Sequence, residues 1–292
     1  MSRPATFAAA ALLAFTLIAG MVVYIYQPAA VARRSLARLA EAKTANFTAH
    51  LNLANSPNTQ TILGEQGTVD IELAGVWQKS EGPDSVASDV VLTTQTESVS
   101  VKVQGDVRLI GDTLYFQITK SPQAFPILAQ LKDQWIQLPR GATPDVAGAR
   151  SDTAPAFSSV KRQGSETIDG ESTVHYTALA SAEGMVSLMD SLASVLGTSL
   201  SEAQINQIKE SVSQATTVPV DLWVKRWSSE PKQLRISLAV PGGSAVQFTL
   251  RFTGLDQPVA IETPEGAVTL QEMAQRQATP TPPPAGEPTP AP

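Results

Sequence analysis

The spacing of apolar residues changes several times along the chain. From Thr6 to Tyr26 no charged residue occurs, and the run TFAAAALLAFTLIAGMVVYIY is apolar on every face. As a helix it covers about 31 Å, which matches a hydrocarbon core of about 30 Å. Residues 29–44 (AAVARRSLARLAEAKT) then read as an amphipathic helix, with Val31, Leu36, Leu39 and Ala42 near one face and Arg33, Arg34, Arg38 and Glu41 mostly elsewhere. After this the period falls to two. Phe47, Ala49, Leu51 and Leu53 alternate with Thr48, His50 and Asn52 as in a half-buried strand. Val69 to Trp77 and Val99 to Val103 repeat the pattern, and VRLI with TLYFQIT around Gly111-Asp112 reads as a hairpin. Trp135, Ile136 and Leu138 suggest a short strand, and Val174, Tyr176 and Ala178 begin another.

Three strands in a row follow residue 215. Their apolar sets are Val218–Val224, Leu234–Val240 and Val246–Phe252, joined by SSEP and PGGS turns. A last strand is expected at Val259–Ile261, and a short helix over 268–275. Between the two strand blocks, Met185, Leu188, Met189, Leu192, Val195 and Leu196 follow helical spacing. Ser199-Leu-Ser-Glu202 is a capping box that opens a second helix over about 200–214. The expected fold class is α+β: a curved antiparallel sheet with an inserted helical lid, preceded by an N-terminal transmembrane helix. Residues 140–157 read as a long loop. From Thr279 onward, seven prolines in fourteen residues predict an extended coil. The resulting division is an anchor or uncleaved signal over 1–28, a folded domain over 29–275 and a disordered Pro/Thr-rich tail over 276–292.

The apolar start directs the chain to a membrane, with Tyr24 and Tyr26 at the boundary where amphipathic rings prefer to sit. Secretory h-regions run about 7–15 residues, so this one is long for a cleaved signal. Yet Ala30-Val31-Ala32 offers a cleavage sequence before Arg33, which leaves a released protein as the alternative. Flanking charge conflicts with the favoured orientation. Arg3 stands against Arg33, Arg34, Arg38 and Lys43, a count that places the long C-terminal part in the cytoplasm. Because that second cluster belongs to the first helix of the domain, and large domains translocate despite flanking charge, the expected topology is single-pass with an extracytoplasmic domain.

Composition narrows the function classes. The chain has 292 residues, 21 Lys+Arg against 27 Asp+Glu, a net charge of −6 and no cysteine. The absence of cysteine removes disulfides, thiolate metal sites and cysteine nucleophiles. A mildly acidic balance without a basic block argues against nucleic acid as a partner. The two histidines, His50 and His175, stand in no metal-binding or catalytic spacing, and no G-x-S-x-G elbow, calcium loop or phosphate-cradling glycine loop occurs. Asp70 and Glu72 share the polar side of one strand, a pair more often solvated than catalytic. Trp77, Trp135, Trp223 and Trp227 read as core or rim packing. No cofactor and no metal is implied, and the chain reads as a non-enzyme.

Several phrases together resemble the LppX/LprG-type lipoprotein family and, more distantly, the LolA/LolB lipoprotein carriers. Residues 31–53 are similar to the family's opening helix and first strand, and LKDQWIQLP at 131–139 to a later strand. ETIDGESTVHYTA at 166–178, VPVDLWVKRWSSEPKQLRISL at 218–238 and FTLRFTGLDQPVAIETPE at 248–265 continue the series in order. The resemblance implies a half-barrel around an apolar cavity that binds a lipid or acylated molecule outside the membrane. Unlike the lipoprotein branch, this chain has no lipobox cysteine, so the Thr6–Tyr26 helix takes the place of a lipid anchor. The candidate ligand contacts are Phe47, Leu51, Met185, Leu188, Met189, Leu192, Phe248 and Phe252. The alternative is a structural or interaction module with a dry core; an enzyme requires a polar cluster inside the cavity.

Overall fold

A computed structural model of the chain describes residues 27–54, 67–79, 85–111, 113–122, 128–129, 131–139, 157–181, 183–186, 202, 205–206, 218–240 and 244–278. It opens with helix α1 (Pro28–Glu41), whose proline lies in the first turn, where a missing N–H costs nothing. Val31, Ala32, Ser35 and Leu39 are buried, while Arg33, Arg34 and Arg38 face out, so α1 carries one apolar stripe. The helix stops at Ala42, whose N–H bonds to the Leu39 carbonyl, and the chain turns directly into strand β1 (Thr44–Ala54).

The remaining described chain is mostly sheet. The strands are β2 (Gly67–Gln78), β3 (Ser85–Thr96), β4 (Ser100–Ile110), β5 (Thr113–Lys120), β6 (Ile136–Pro139), β7 (Phe157–Ile168), β8 (Glu171–Ala180), β9 (Val218–Lys225), β10 (Pro231–Val240), β11 (Ser244–Leu255) and β12 (Val268–Thr269), followed by helix α2 (Leu270–Ala278). They form one open, curved sheet in the order β12-β6-β5-β4-β3-β2-β1-β11-β10-β9-β8-β7. Every neighbouring pair is antiparallel except β12 with β6. β1 therefore sits mid-sheet, between β2 and β11, and joins the two strand blocks. Two glycines mark close approach of strands. A Cβ on Gly75 would stand 2.2 Å from the Ala87 carbonyl oxygen, and one on Gly105 would stand 2.3 Å from that of Gln117, so neither place accepts a side chain without movement. At β1–β11 the pairing jumps from Asn46–Gly254 to Phe47–Phe252, leaving Thr253 as an extra residue, a bulge that bends its strand.

Helix α1 lies across one face of the sheet against β7, β9 and β10. Beneath it is a continuous core that includes Val31, Leu39, Tyr176, Val218, Val220, Leu222, Leu234 and Phe252. Among the described residues no helix is long and apolar enough to cross a membrane. The Thr6–Tyr26 run lies outside the described residues, as do residues 140–156 of the loop expected over 140–157 and residues 279–292 of the tail expected over 276–292. Phe157 instead opens β7, and residues 276–278 belong to α2.

Several expectations are corrected. Val259–Ile261 forms no strand; residues 257–264 run as irregular chain, because Pro258 and Pro264 remove donors a ladder requires. The helix expected from 268 begins at Leu270, after the two residues of β12. Thr269 and Glu272 form its capping box: the Glu272 carboxylate accepts from the Thr269 N–H at 2.8 Å, and the Thr269 hydroxyl accepts from the Glu272 N–H at 3.1 Å. Val99 belongs to a turn, not to a strand, and is 54% exposed. Its N–H and that of Ser98 both donate to the Thr96 hydroxyl. Of the expected helical lid, Glu183–Val186 and Ile205–Asn206 are helical, and nearly all the rest lies outside the described residues.

Candidate functional site

Residues paired directly across antiparallel strands share a face, so the register assigns the inner surface of the sheet residue by residue. At the α1 end, Ala45, Trp77, Val86, Leu109 and Leu114 form one row from β1 to β5, and the first four are buried. Further along the strands the rows continue with apolar side chains. Leu73 pairs with Val90, Ile71 with Leu92, Leu92 with Val103, and Val107 with Phe116. All of these are only half-buried. Thr94 and Ser88 are the polar members of these rows on β3. The β2–β5 part of the inner face is thus an apolar trough whose side chains retain accessible surface.

On the other side of β1 the same inner face is filled. Val220, Leu222, Leu234, Leu250 and Phe252 are at most 4% exposed. The sequence-predicted contacts divide accordingly. Phe47 and Phe252 pair with one another and are buried at 4% and 2%. Met185 is buried at 4% in the same core. Leu51 and Phe248, also paired, are half-buried at the margin of the trough. Leu188, Met189 and Leu192 lie outside the described residues. Sequence reasoning did not single out Val90, Leu92, Val103 or Val107 as ligand contacts. The alternation marks such positions as inward-facing, but nothing in it separates a filled stretch from an open one.

The outer face is polar and tightly paired. His175 stacks on Trp223 with ring centroids 4.3 Å apart, and its two ring nitrogens face Glu166 at 3.2 Å and Asp221 at 2.9 Å. Trp223 donates from Nε1 to Glu166 at 3.0 Å, Thr177 donates to Asp221 at 2.8 Å, and the Arg235 guanidinium lies 4.7 Å over the Trp223 ring. Gln233 Oε1 accepts from both Nε and Nη2 of Arg251. Lys232, only 4% exposed at its side chain, is held by Glu171 at 2.6 Å, and Lys225 lies 3.2 Å from the same carboxylate. Those two lysines, the hydrogen bond from Lys232 foremost, hold the Glu171 carboxyl below its ordinary pKa.

Across β1, His50 Nε2 lies 2.9 Å from both oxygens of Asp70, and Asn52 donates to Asp70 at 3.0 Å. His50, Asp70 and Glu72 present ligand atoms within 4.8 Å of one another at the rim of a shallow outer groove of about 450 Å³. This is the set of described residues best placed to hold a divalent ion. Its members are half-buried or exposed, and Asp70 is already satisfied by His50 and Asn52. Farther out, Asp89 and Asp106 stand directly opposite on β3 and β4. Burial, together with the neighbouring Asp89, raises the Asp106 carboxyl above its ordinary pKa. Both histidines thus pack against carboxylates in the sheet, and neither faces an acid–base partner inside the trough. Of the tryptophans, Trp77 and Trp223 are buried at 2% each, and Arg108 lies 5.1 Å over Trp135. Trp227, against expectation, is 82% exposed at the β9–β10 turn.

No protein-family model matches the chain, and no curated protein matches it. Among solved structures it is similar to the lipoprotein LppX of Mycobacterium tuberculosis, with 16% identity over 80% of this chain and 97% of that one at a TM-score of 0.42. It is also similar to LprF of Mycobacterium bovis, with 11% identity over 82% and 96% at a TM-score of 0.46. A third is a putative outer membrane lipoprotein-sorting domain from Vibrio parahaemolyticus, with 9% identity over 79% and 92% at a TM-score of 0.20.

Proposed function

We propose that the chain is a membrane-anchored, extracytoplasmic protein that holds a lipid or other apolar ligand in the trough over β2–β5. The observation that carries this reading is the set of half-buried Leu73, Val90, Ile71, Leu92, Val103 and Val107, in adjoining rows on the inner face of a sheet whose other half is filled. Each methylene group of an alkyl chain laid there gains about 0.8 kcal/mol on leaving water. Recognition of that kind needs few polar groups, which agrees with the absence of a chemical motif in the sequence. The Thr6–Tyr26 segment, retained as a helix, is the anchor.

Native mass spectrometry of the full chain, extracted with its surrounding bilayer and then delipidated in steps, tests the reading. The expected result is one lipid per chain that outlasts the bulk lipid and is lost in Leu92→Asp. A wild-type chain that empties in step with the bulk lipid overturns it.

A second reading, a non-catalytic interaction module with a dry interior, draws on the burial of Phe47, Phe252 and Met185 in the core. It predicts the same emptying and unfolding energetics alike on both sides of β1.

A further inference from the structure

A pocket of about 310 Å³ opens beside the start of the domain, away from the trough. Its floor is apolar, built from Val31 in the first turn of α1 and from Val174, Tyr176 and Val224 on β8 and β9. Arg34 of α1, Arg162 of β7, Lys225 at the end of β9 and Arg226 in the following turn line it, and no carboxylate is among its described lining residues. Lys225 is neutralised by Glu171 at 3.2 Å and Glu230 at 3.0 Å, so the excess positive charge is taken from Arg162 and Arg226, with Arg34 beside them. The Arg34 Nε donates to the Ala30 carbonyl of its own helix, and Arg162 Nη2 reaches the Ser165 hydroxyl only at 3.4 Å. Burial raises the pKa of the Tyr176 hydroxyl while the charges of Arg162 and Arg34 act against that rise, so both guanidinium groups are electrostatically close to the pocket floor.

Two further features set this pocket apart. Trp227 stands on its rim, 82% exposed, with the Arg226 guanidinium 5.0 Å over its ring. A tryptophan left in water forfeits much of its burial energy, whereas the membrane–water boundary accommodates both its apolar body and its N–H. The second feature is position. The uncharged run ends at Tyr26, α1 begins at Pro28, and Arg34 follows about 9 Å farther along the helix at about 1.5 Å per residue.

We propose that this pocket binds the phosphate headgroup of an anionic phospholipid in the membrane from which the chain emerges, with Trp227 seated in the interface. Guanidinium groups bind phosphate oxygens in bidentate fashion, and the apolar floor accepts the glycerol and upper acyl carbons. The tether holds headgroups at high effective concentration. Domain and membrane thereby keep one fixed end together. The inference shares its anchor with the function proposed above but not its trough.

The test uses the full chain in nanodiscs of phosphatidylcholine, or of phosphatidylcholine with one-fifth phosphatidylglycerol, each carrying a shallow spin-labelled lipid. The Trp227 signal is the difference between wild type and Trp227→Phe. Its quenching is expected to be at least about twofold stronger with phosphatidylglycerol, and the difference to vanish in about 0.5 M salt. Arg226→Gln should weaken the difference, and Arg34→Gln/Arg162→Gln/Arg226→Gln should abolish it with the circular dichroism unchanged. Arg226→Gln alone carries the test if the triple variant does not fold. Equal quenching in both lipids, or an unaltered difference in a folded Arg226→Gln variant, overturns the proposal. So does full competition by soluble glycerol phosphate or by an acidic polypeptide, either of which assigns the pocket to another ligand. Failure of the anchor is read separately, as chain recovered outside the discs. Flotation of that chain with phosphatidylglycerol vesicles then decides the pocket by itself.

Discussion

The two halves of the sheet on either side of β1 are made from the same kind of residues at the same spacing, yet they have different fates. On β9 and β10 the inward side chains lie under α1, and Val220, Leu222 and Leu234, with Leu250 of the neighbouring β11, are nearly sealed from solvent. On β2–β5 the inward Ile71, Leu73, Val90, Leu92, Val103 and Val107 stay half-buried. The outer faces differ as well. The β7–β10 side pairs its charges through Glu166, His175, Asp221, Glu171 and Lys232, while β3 and β4 set Asp89 against Asp106. One half is built for stability, and the other holds apolar surface in reserve. Hydrophobic energy scales with the area removed from water, so the covered half supplies most of the folding energy, and the open half keeps the apolar area that the proposed ligand would cover.

The most direct way to break this comparison is truncation on the covered side. Phe252→Ala, at a site 2% exposed, is expected to cost about 3–5 kcal/mol, and Leu222→Ala about 2–5 kcal/mol, in urea unfolding. Leu92→Ala on the open side is expected to cost only about 1 kcal/mol, because less surface is at stake. It should instead reduce uptake of a fluorescent fatty-acyl probe. Equal costs for Leu92→Ala and Leu222→Ala would leave the two halves indistinguishable and the trough without a basis.

A smaller effect separates the outer faces by pH. The Glu171 carboxyl has a lowered pKa in the folded state, so its contribution is present above the ordinary value of 4.5 and is lost as pH falls through the folded value. Glu171→Gln should therefore flatten the fall of the melting temperature below about pH 4.5, and should cost about 1 kcal/mol at neutral pH after allowance for exposure. Asp106 carries the opposite sign. Its pKa is raised, so its contribution is present below the ordinary 3.8 and is lost as pH rises through the folded value. Asp106→Asn should stabilise the protein at neutral pH by about 0.5 kcal/mol by removing a like-charge cross-strand pair. A further small change concerns the tie between α1 and the end of β11. The Asp256 carboxylate accepts from the Lys43 backbone N–H at 2.8 Å and pairs with Arg38, and the Lys43 contact chiefly lowers its pKa. Asp256→Asn is expected to lower stability by no more than about 1 kcal/mol in thermal melts, because the pair is partly exposed.

Much of the fold was legible in residue spacing. Helix α1, strands β1, β2, β4, β5 and β6, and the β9–β11 meander all follow local periodicity. β3 escaped because its adjacent Val90 and Val91 break the alternation and its inward positions include Ser88 and Thr94. β7 escaped because Lys161-Arg162-Gln163-Gly164 reads as a polar loop; those residues suit an edge strand, where charge discourages pairing with other chains. Among the site residues, Leu51 and Phe248 fall at the trough, but Phe47 and Phe252, chosen by the same pattern, fall in the solid core. Periodicity reports which way a side chain points, not what lies opposite it.

The sequence alone determined the quantities set by neighbours in the chain: the uncharged run long enough for a bilayer, the change of period from helix to strand, and the apolar and polar face of each strand. Tertiary structure decided which apolar positions are covered, since burial depends on α1 crossing β7, β9 and β10. It likewise brought Arg34, Arg162 and Arg226 from three separate elements around one pocket. Contacts between residues so distant in sequence arise only when the sheet order brings their strands together, and no local pattern encodes that order.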